Sequence, residues 1–378
     1  MPLNKRIDHL HIIRGIAALL VVLWHARFIL WCGGVEFGHS HPGIIEKVLA
    51  YSMMFLFSSG SPMVICFFVL SGFFLKISYD NNTVTKFYSN RIIRIYIPYI
   101  ANTIISCGIF FVCFVYINPN LQHPPGPPRE ITTVPLVAFK EMNLQTFLKS
   151  LVFLPNIKYI AWNNQYWSLL YEGIFYLTIP ILMFKKLPVL FISIVAFAVG
   201  AFYTPHNPIL LYLFEYLVFF QIGICLHYIL DDERTAKIFG KFPPRFVWAI
   251  IFVLYLVLCF CELSKFLHLA NLLGGIIAAL AILTLYHQPD ILFKSKAYKA
   301  LKKLGDISFS LYLSHFIFLY LIYAVFTRVT SIYVIYAPVY IVVVPFVIIF
   351  SYVFYLLIEK QSIKFKNRNF TQNNKNTH

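Results

Sequence analysis

The sequence predicts an all-α integral membrane protein, a bundle of about ten transmembrane helices with both termini on the cytoplasmic side. Three observations lead there. Of 378 residues, 60% are hydrophobic and 12% charged, about half the charged fraction of a soluble domain. Mean hydropathy is +0.74. Apolar runs long enough to cross a hydrocarbon core of roughly 30 Å recur along the chain, joined by short polar segments. Basic residues also segregate: with the N-terminus inside, 22 of the 31 Lys and Arg fall on the inner side and eight on the outer, with Arg14 inside the first run. That asymmetry orients the chain N-in and C-in. The same distribution accounts for the formal charge of +16. The basic residues flank apolar runs and form no basic-aromatic surface, which excludes nucleic acid as a partner.

In chain order, the predicted spans are 10–31, 51–77, 96–117, 166–184, 187–204, 209–230, 246–262, 267–287, 307–326 and 333–357. The first lacks a small-residue cleavage site and is expected to stay as a signal anchor. The outer segment 118–165 is the longest connection. It opens with the rigid run His123-Pro-Pro-Gly-Pro-Pro128, and Leu144 to Leu154 reads as a short helix at the interface. Such a loop serves either as a lid or acceptor surface or as a plain connector. Residues 1–360 form the membrane domain, and the basic, Asn-rich segment 361–378 is expected to be a disordered cytoplasmic tail. Seven scattered cysteines show neither metal-ligand nor redox spacing, so no metal is expected.

Polar residues inside apolar runs carry the chemistry. In the first run Arg14 and His25 are eleven residues apart, about 20° beyond three full turns, so they share a helix face and stand roughly 16 Å apart along the axis. Arg14 alone reads equally well as a side chain reaching for the headgroups. His25 lies too deep for that, so it is either a packing residue or a functional one. Ser71 and Gly72, in Phe67-Phe-Val-Leu-Ser-Gly-Phe73, suit close packing or a locally opened backbone. Arg91 and Arg94 open the third span, three residues apart on one face. They form either a topology anchor or a pair of forked phosphate ligands. Trp167, Ser168, Tyr171, Glu172 and Tyr176 open the fourth span, with Ser168, Glu172 and Tyr176 on one stripe. A buried carboxylate such as Glu172 needs a base or cation, and His25 lies at a comparable predicted depth. Tyr312 and His315 follow at i, i+3 in the ninth span.

The order of these motifs resembles the acyltransferase-3 family of membrane acyltransferases, which includes polysaccharide and O-antigen O-acetyltransferases. The resemblance rests on Arg14-Gly-Ile-Ala-Ala-Leu-Leu-Val-Val-Leu-Trp-His25, Phe67 to Phe73, Arg91-Ile-Ile-Arg94-Ile, Trp167 to Tyr176 and Ser308 to His315, and it runs to Glu359. This chain departs from the family pattern at His11, where an Asp is common, at Pro98, one residue late, and at Gln361, where a Pro is common. No fused soluble domain is expected.

The resemblance implies transfer of an acyl group, expected to be acetyl, from cytoplasmic acyl-CoA to a hydroxyl of an extracytoplasmic glycan, free or lipid-linked. No permanently bound cofactor is implied; acetyl-CoA is the donor substrate. His25 would deprotonate the acceptor or carry the acyl group, with Glu172 orienting its imidazole. Arg14 would line the donor path, while Arg91 and Arg94 would hold the donor phosphates. Trp167, Ser168, Tyr171, Ser71, Tyr312 and His315 would contact substrate. The bacterial inner membrane is the expected location. A proton-coupled multi-span transporter also fits buried Arg, His and Glu, although no repeat supports it.

Overall fold

A computed structural model describes residues 3–31, 34–124, 130–153, 164–184, 186–202, 208–230, 232–288, 296–333, 335 and 340–373. The Pro-rich run from residue 125 onward, Leu154 and the last five residues lie outside them. The described residues are helical and contain no strand.

The helices are α1 (Leu3–Leu30), α2 (Gly34–His39), α3 (Ile44–Leu56), α4 (Gly60–Asp80), α5 (Val84–Arg91), α6 (Ile97–Val112), α7 (Glu130–Lys140), α8 (Leu144–Leu151) and α9 (Trp167–Phe184). They continue as α10 (Lys186–Phe202), α11 (Pro208–Leu230), α12 (Glu233–Lys241), α13 (Pro244–Leu263), α14 (Leu267–His287), α15 (Lys296–Asp306), α16 (Ser308–Thr330), α17 (Tyr340–Phe354) and α18 (Lys360–Asn373). Among the described residues, eight stretches are long and apolar enough to cross a membrane, and Trp167–Met183 and Val189–Gly200 are shorter apolar helices.

Two boundaries differ from the sequence reading. The second span breaks at Phe57–Ser59, separating α3 from α4. The run Ser58-Ser59-Gly60-Ser61-Pro62 interrupts the helix, and side chains satisfy backbone groups that the break frees. The Tyr255 hydroxyl donates to Leu56 O at 2.5 Å, and Ser58 Oγ donates to Phe55 O at 2.8 Å. The second difference is the tail, where Lys360–Asn373 forms a helix. Its composition favours disorder, but docking overrides composition: α18 packs on the π-helical segment Ile92–Tyr96. The short helix expected after Leu144 is present as α8, with a capping box between Asn143 and Thr146.

The chain divides into two compact units. Unit one comprises Met1–Val21, Phe55–Thr83 and Tyr171–Ser308. Here α4 packs on α11 and α14, α10 on α11, and α13 on α14. Two glycines set the α4–α11 distance. A Cβ on Gly72 would lie 2.1 Å from Phe220 O, and one on Gly223 would lie 2.0 Å from Val69 O. Only hydrogen in place of a side chain lets these backbones touch, which is how membrane helices gain packing energy where lipid is as apolar as leucine.

Unit two comprises Val22–Met54, Val84–Leu170 and Phe309–His378. Its third membrane helix is flanked by π-helical turns at Ile92–Tyr96 and Cys113–Ile117, and a third π segment, Tyr355–Glu359, follows α17. Hydroxyl and amide pairs hold its helices together: Ser314 Oγ lies 2.9 Å from Ser351 Oγ, and Asn118 Nδ2 donates to Thr327 Oγ1 at 2.9 Å. Outward faces are apolar, for example Phe252, Val253 and Phe260 on α13 and Phe346 and Ile349 on α17.

Candidate active site

In unit two the second half of α1 and the first half of α16 bring two imidazoles together. His25 and His315 are 6% and 0% exposed. Nδ1 of His25 lies 3.1 Å from Nε2 of His315, and Nδ1 of His315 lies 2.9 Å from Leu311 O. A carbonyl oxygen only accepts, so Nδ1 of His315 carries the proton and donates it to Leu311. In the neutral ring, Nε2 of His315 is then an acceptor. Nδ1–H of His25 donates to it, which leaves the lone pair of His25 on Nε2. The two contacts thus select one tautomer of His25, with its basic nitrogen on the far side of the ring from His315. Trp24 and Phe316 pack edge-on to the His25 ring, with centroids at 4.6 and 5.8 Å, and fix its plane.

Around this pair the start of α9 is tied to α16. The Tyr312 hydroxyl donates to Gln165 O at 2.8 Å and lies 2.6 Å from Ser168 Oγ. Leu313 O accepts from Gln165 Nε2 at 3.0 Å and from Asn102 Nδ2 at 2.7 Å. The first turn of α16 has its own acceptor. Ser310, through N–H at 3.1 Å and Oγ at 2.5 Å, donates to Oε2 of the buried Glu359. A carboxylate there satisfies one of the four orphan donors of a helix start and complements its dipole.

Unit one holds the other polar group. Ser71 Oγ donates to Oε1 of Glu172 at 2.6 Å, and the Tyr176 hydroxyl donates to the same oxygen. Ser71 is therefore a ligand of the carboxylate, while the adjacent Gly72 does the packing. Arg14 is half-buried beside Gly15, whose absent Cβ would lie 2.6 Å from Gly305 N. His11, where the family pattern often has an acid, stacks on Phe74 at 5.2 Å.

The expected site residues thus fall into groups. Unit two contains His25, His315, Tyr312, Ser168, Trp167, Arg91 and Arg94; unit one contains Arg14, Ser71, Tyr171 and Glu172. The sequence reading assigns the orientation of His25 to Glu172. Within unit two His315 contacts the His25 ring, and within unit one Ser71 and Tyr176 donate to Glu172. Tyr171 is 4% exposed and packs edge-on to Tyr216 at 5.2 Å. Trp167 is half-buried. Arg91 caps the π-helical turn that contains Arg94, and its guanidinium lies over the Phe87 ring at 5.7 Å. Because the backbone is π-helical there, the three-residue spacing does not impose the α-helical face expected from sequence.

Sequence reasoning missed several polar residues. Asn102, Gln165 and the Ser310–Glu359 pair support the site. Away from it, in unit one, Glu215 accepts from Asn271 Nδ2 at 2.8 Å and lies 3.1 Å from His268 Nδ1. Asn102, Glu215 and Asn271 each sit within an apolar run, which was the available signal.

Comparison with known proteins adds one match. The family described as "Acyltransferase domain", of the acyltransferase-3 type, has a sequence model that matches residues 7–356. No curated protein and no solved structure matches the chain.

Proposed function

The chain belongs to the acyltransferase-3 family of membrane acyltransferases, and from that premise we propose that it moves an acetyl group from cytoplasmic acetyl-CoA to a hydroxyl of a cell-surface glycan such as an O-antigen or exopolysaccharide. The observation that carries this reading is the His25–His315 pair. It supplies one buried imidazole with a defined tautomer, whose unprotonated nitrogen is Nε2.

The chemistry follows from that nitrogen. Nε2 of His25 takes the proton from the acceptor hydroxyl, and the oxygen attacks the thioester carbonyl. The C–S bond then breaks, and the departing thiolate takes the proton back from the imidazolium. His315 accepts a hydrogen bond from Nδ1 throughout and so stabilises the cation, the role a third group plays in triad sites. In a two-step variant Nε2 attacks the thioester carbonyl and expels the coenzyme A thiolate; the hydroxyl then displaces the imidazole from the acetyl group, and its proton passes to that thiolate. Arg91 and Arg94 are assigned to the donor phosphates, since guanidinium groups present forked donors to them. Arg14 is assigned to the donor path, and Ser168 and Tyr312 to the acceptor. The enzyme is placed in a bacterial inner membrane, with the donor arriving from inside.

Mass spectrometry of surface glycan from cells with and without the gene tests the reading. Acetyl-sized mass increments should disappear without the gene, return with the wild-type gene and stay absent with His25→Gln. Glycan masses identical in all strains would refute the assignment. Donor affinity on purified protein tests the arginines. Arg91→Lys or Arg94→Lys should weaken coenzyme A binding and the alanine variants should weaken it further; unchanged affinity in the double alanine variant would leave the pair as a topology anchor.

A further inference from the structure

Helix α18 lies beyond residue 356, where the match to the family ends. It is nevertheless docked in unit two. Ser362 Oγ donates to Ile93 O at 2.5 Å, within the π-helical segment that carries Arg94. Lys366 stands four residues after Ser362, and residues at that spacing share a helix face. The half-buried Lys366 therefore lies on the helix face that Ser362 docks on the arginine segment, and Arg94 and Arg91 both act on its charge. No carboxylate among the described residues forms an ion pair with Arg94 or Lys366.

Three cations drawn together on two elements repel one another, and the repulsion grows as water is excluded. An arrangement of this kind becomes favourable when a multivalent anion sits among the charges. We propose that Lys366 is the third cation of a phosphate-binding site formed with Arg91 and Arg94, and that its ligand is a phosphate-rich anion. The two arginines bring planar forks, and the lysine brings a compact charge on a flexible stem. Together they suit a cluster of phosphates, on one molecule or on neighbouring headgroups. Two sources have this chemistry: the nucleotide end of coenzyme A and the headgroup of an anionic lipid. The first rests on the acyltransferase reading above; the second does not.

The test uses full-length protein in nanodiscs of zwitterionic lipid, with Lys366→Met and Lys366→Arg compared with wild type. Coenzyme A and pantetheine, which lacks the phosphates, are titrated by calorimetry. In a second arm the nanodiscs contain phosphatidylglycerol and thermal stability is read. For a nucleotide ligand, Lys366→Met should weaken coenzyme A by about tenfold, Lys366→Arg should largely preserve it, and pantetheine should be indifferent to both. For a lipid ligand, Lys366→Met should leave coenzyme A unchanged and abolish the stabilisation by phosphatidylglycerol. The proposal is overturned if Lys366→Met changes neither reading, or if it weakens pantetheine as much as coenzyme A. Wild-type protein that binds no coenzyme A would refute the donor reading alone, because the lipid arm still reports on Lys366.

Discussion

The proton inventory of two side chains decides what His25 can do. His315 has one nitrogen committed to a carbonyl and the other to His25, so it cannot act on a substrate in the neutral state. Under the proposed function it is a positioning residue, where the sequence reading has it contact substrate. Replacement of His25 by Gln preserves volume and removes the base. The variant should insert at normal abundance and lose about 10²-fold or more in turnover, the usual worth of general acid–base catalysis. Near wild-type acetylation would dismiss His25 as the base. His315→Phe fills the same space and leaves Nδ1–H of His25 without its acceptor, so kcat should fall with little change in the donor KM. If His315→Phe raises KM and spares kcat, His315 contacts substrate after all.

Among the helices, the contacts that matter are close approaches and buried helix ends. Gly72 and Gly223 face each other's backbones, so a valine at either position must force α4 and α11 apart. An overpacked core of this kind typically loses about 1–3 kcal/mol. Gly72→Val and Gly223→Val should each lower the unfolding temperature in detergent, and the double variant should cost less than their sum, because the first substitution already separates the helices. Additive costs would show that the two glycines do not share one contact. At the start of α16, Glu359→Ala leaves the buried N–H of Ser310 without its carboxylate acceptor, at a cost of about 1–3 kcal/mol. That loss falls on the helix carrying Tyr312 and His315, so the variant should lose stability and turnover together. Unchanged thermal unfolding would contradict the capping role.

Across the whole molecule, charge sets orientation. The inner predicted segments hold 22 Lys and Arg against eight outside, so the α12 segment is expected in the cytoplasm and the α8 segment outside. A single cysteine at Lys237 or at Lys149, in a background without the seven native cysteines, distinguishes the two sides. A membrane-impermeant thiol reagent applied to intact cells should label the second position and spare the first. The reverse pattern would invert the topology and, with it, the route of the donor.

The all-helical membrane class and the apolar segments were legible in the sequence, because each depends on local composition or on the 3.6-residue period. Short-range signals also located α8 and the motif runs that the family match confirmed. Partner choice was not legible. His25 and His315 are 290 positions apart, and Ser71 and Glu172 are 101 apart. Membrane helices are apolar on nearly every face, so amphipathic pattern does not reveal which face meets which neighbour. The sequence could show that Glu172 needed a partner without showing that Ser71 and Tyr176 fill that need. The helical tail is the opposite case. Its polar composition argued for disorder, and docking on the Ile92–Tyr96 segment made it a helix. Residues set what each element needs; only the packed bundle decides which neighbour supplies it.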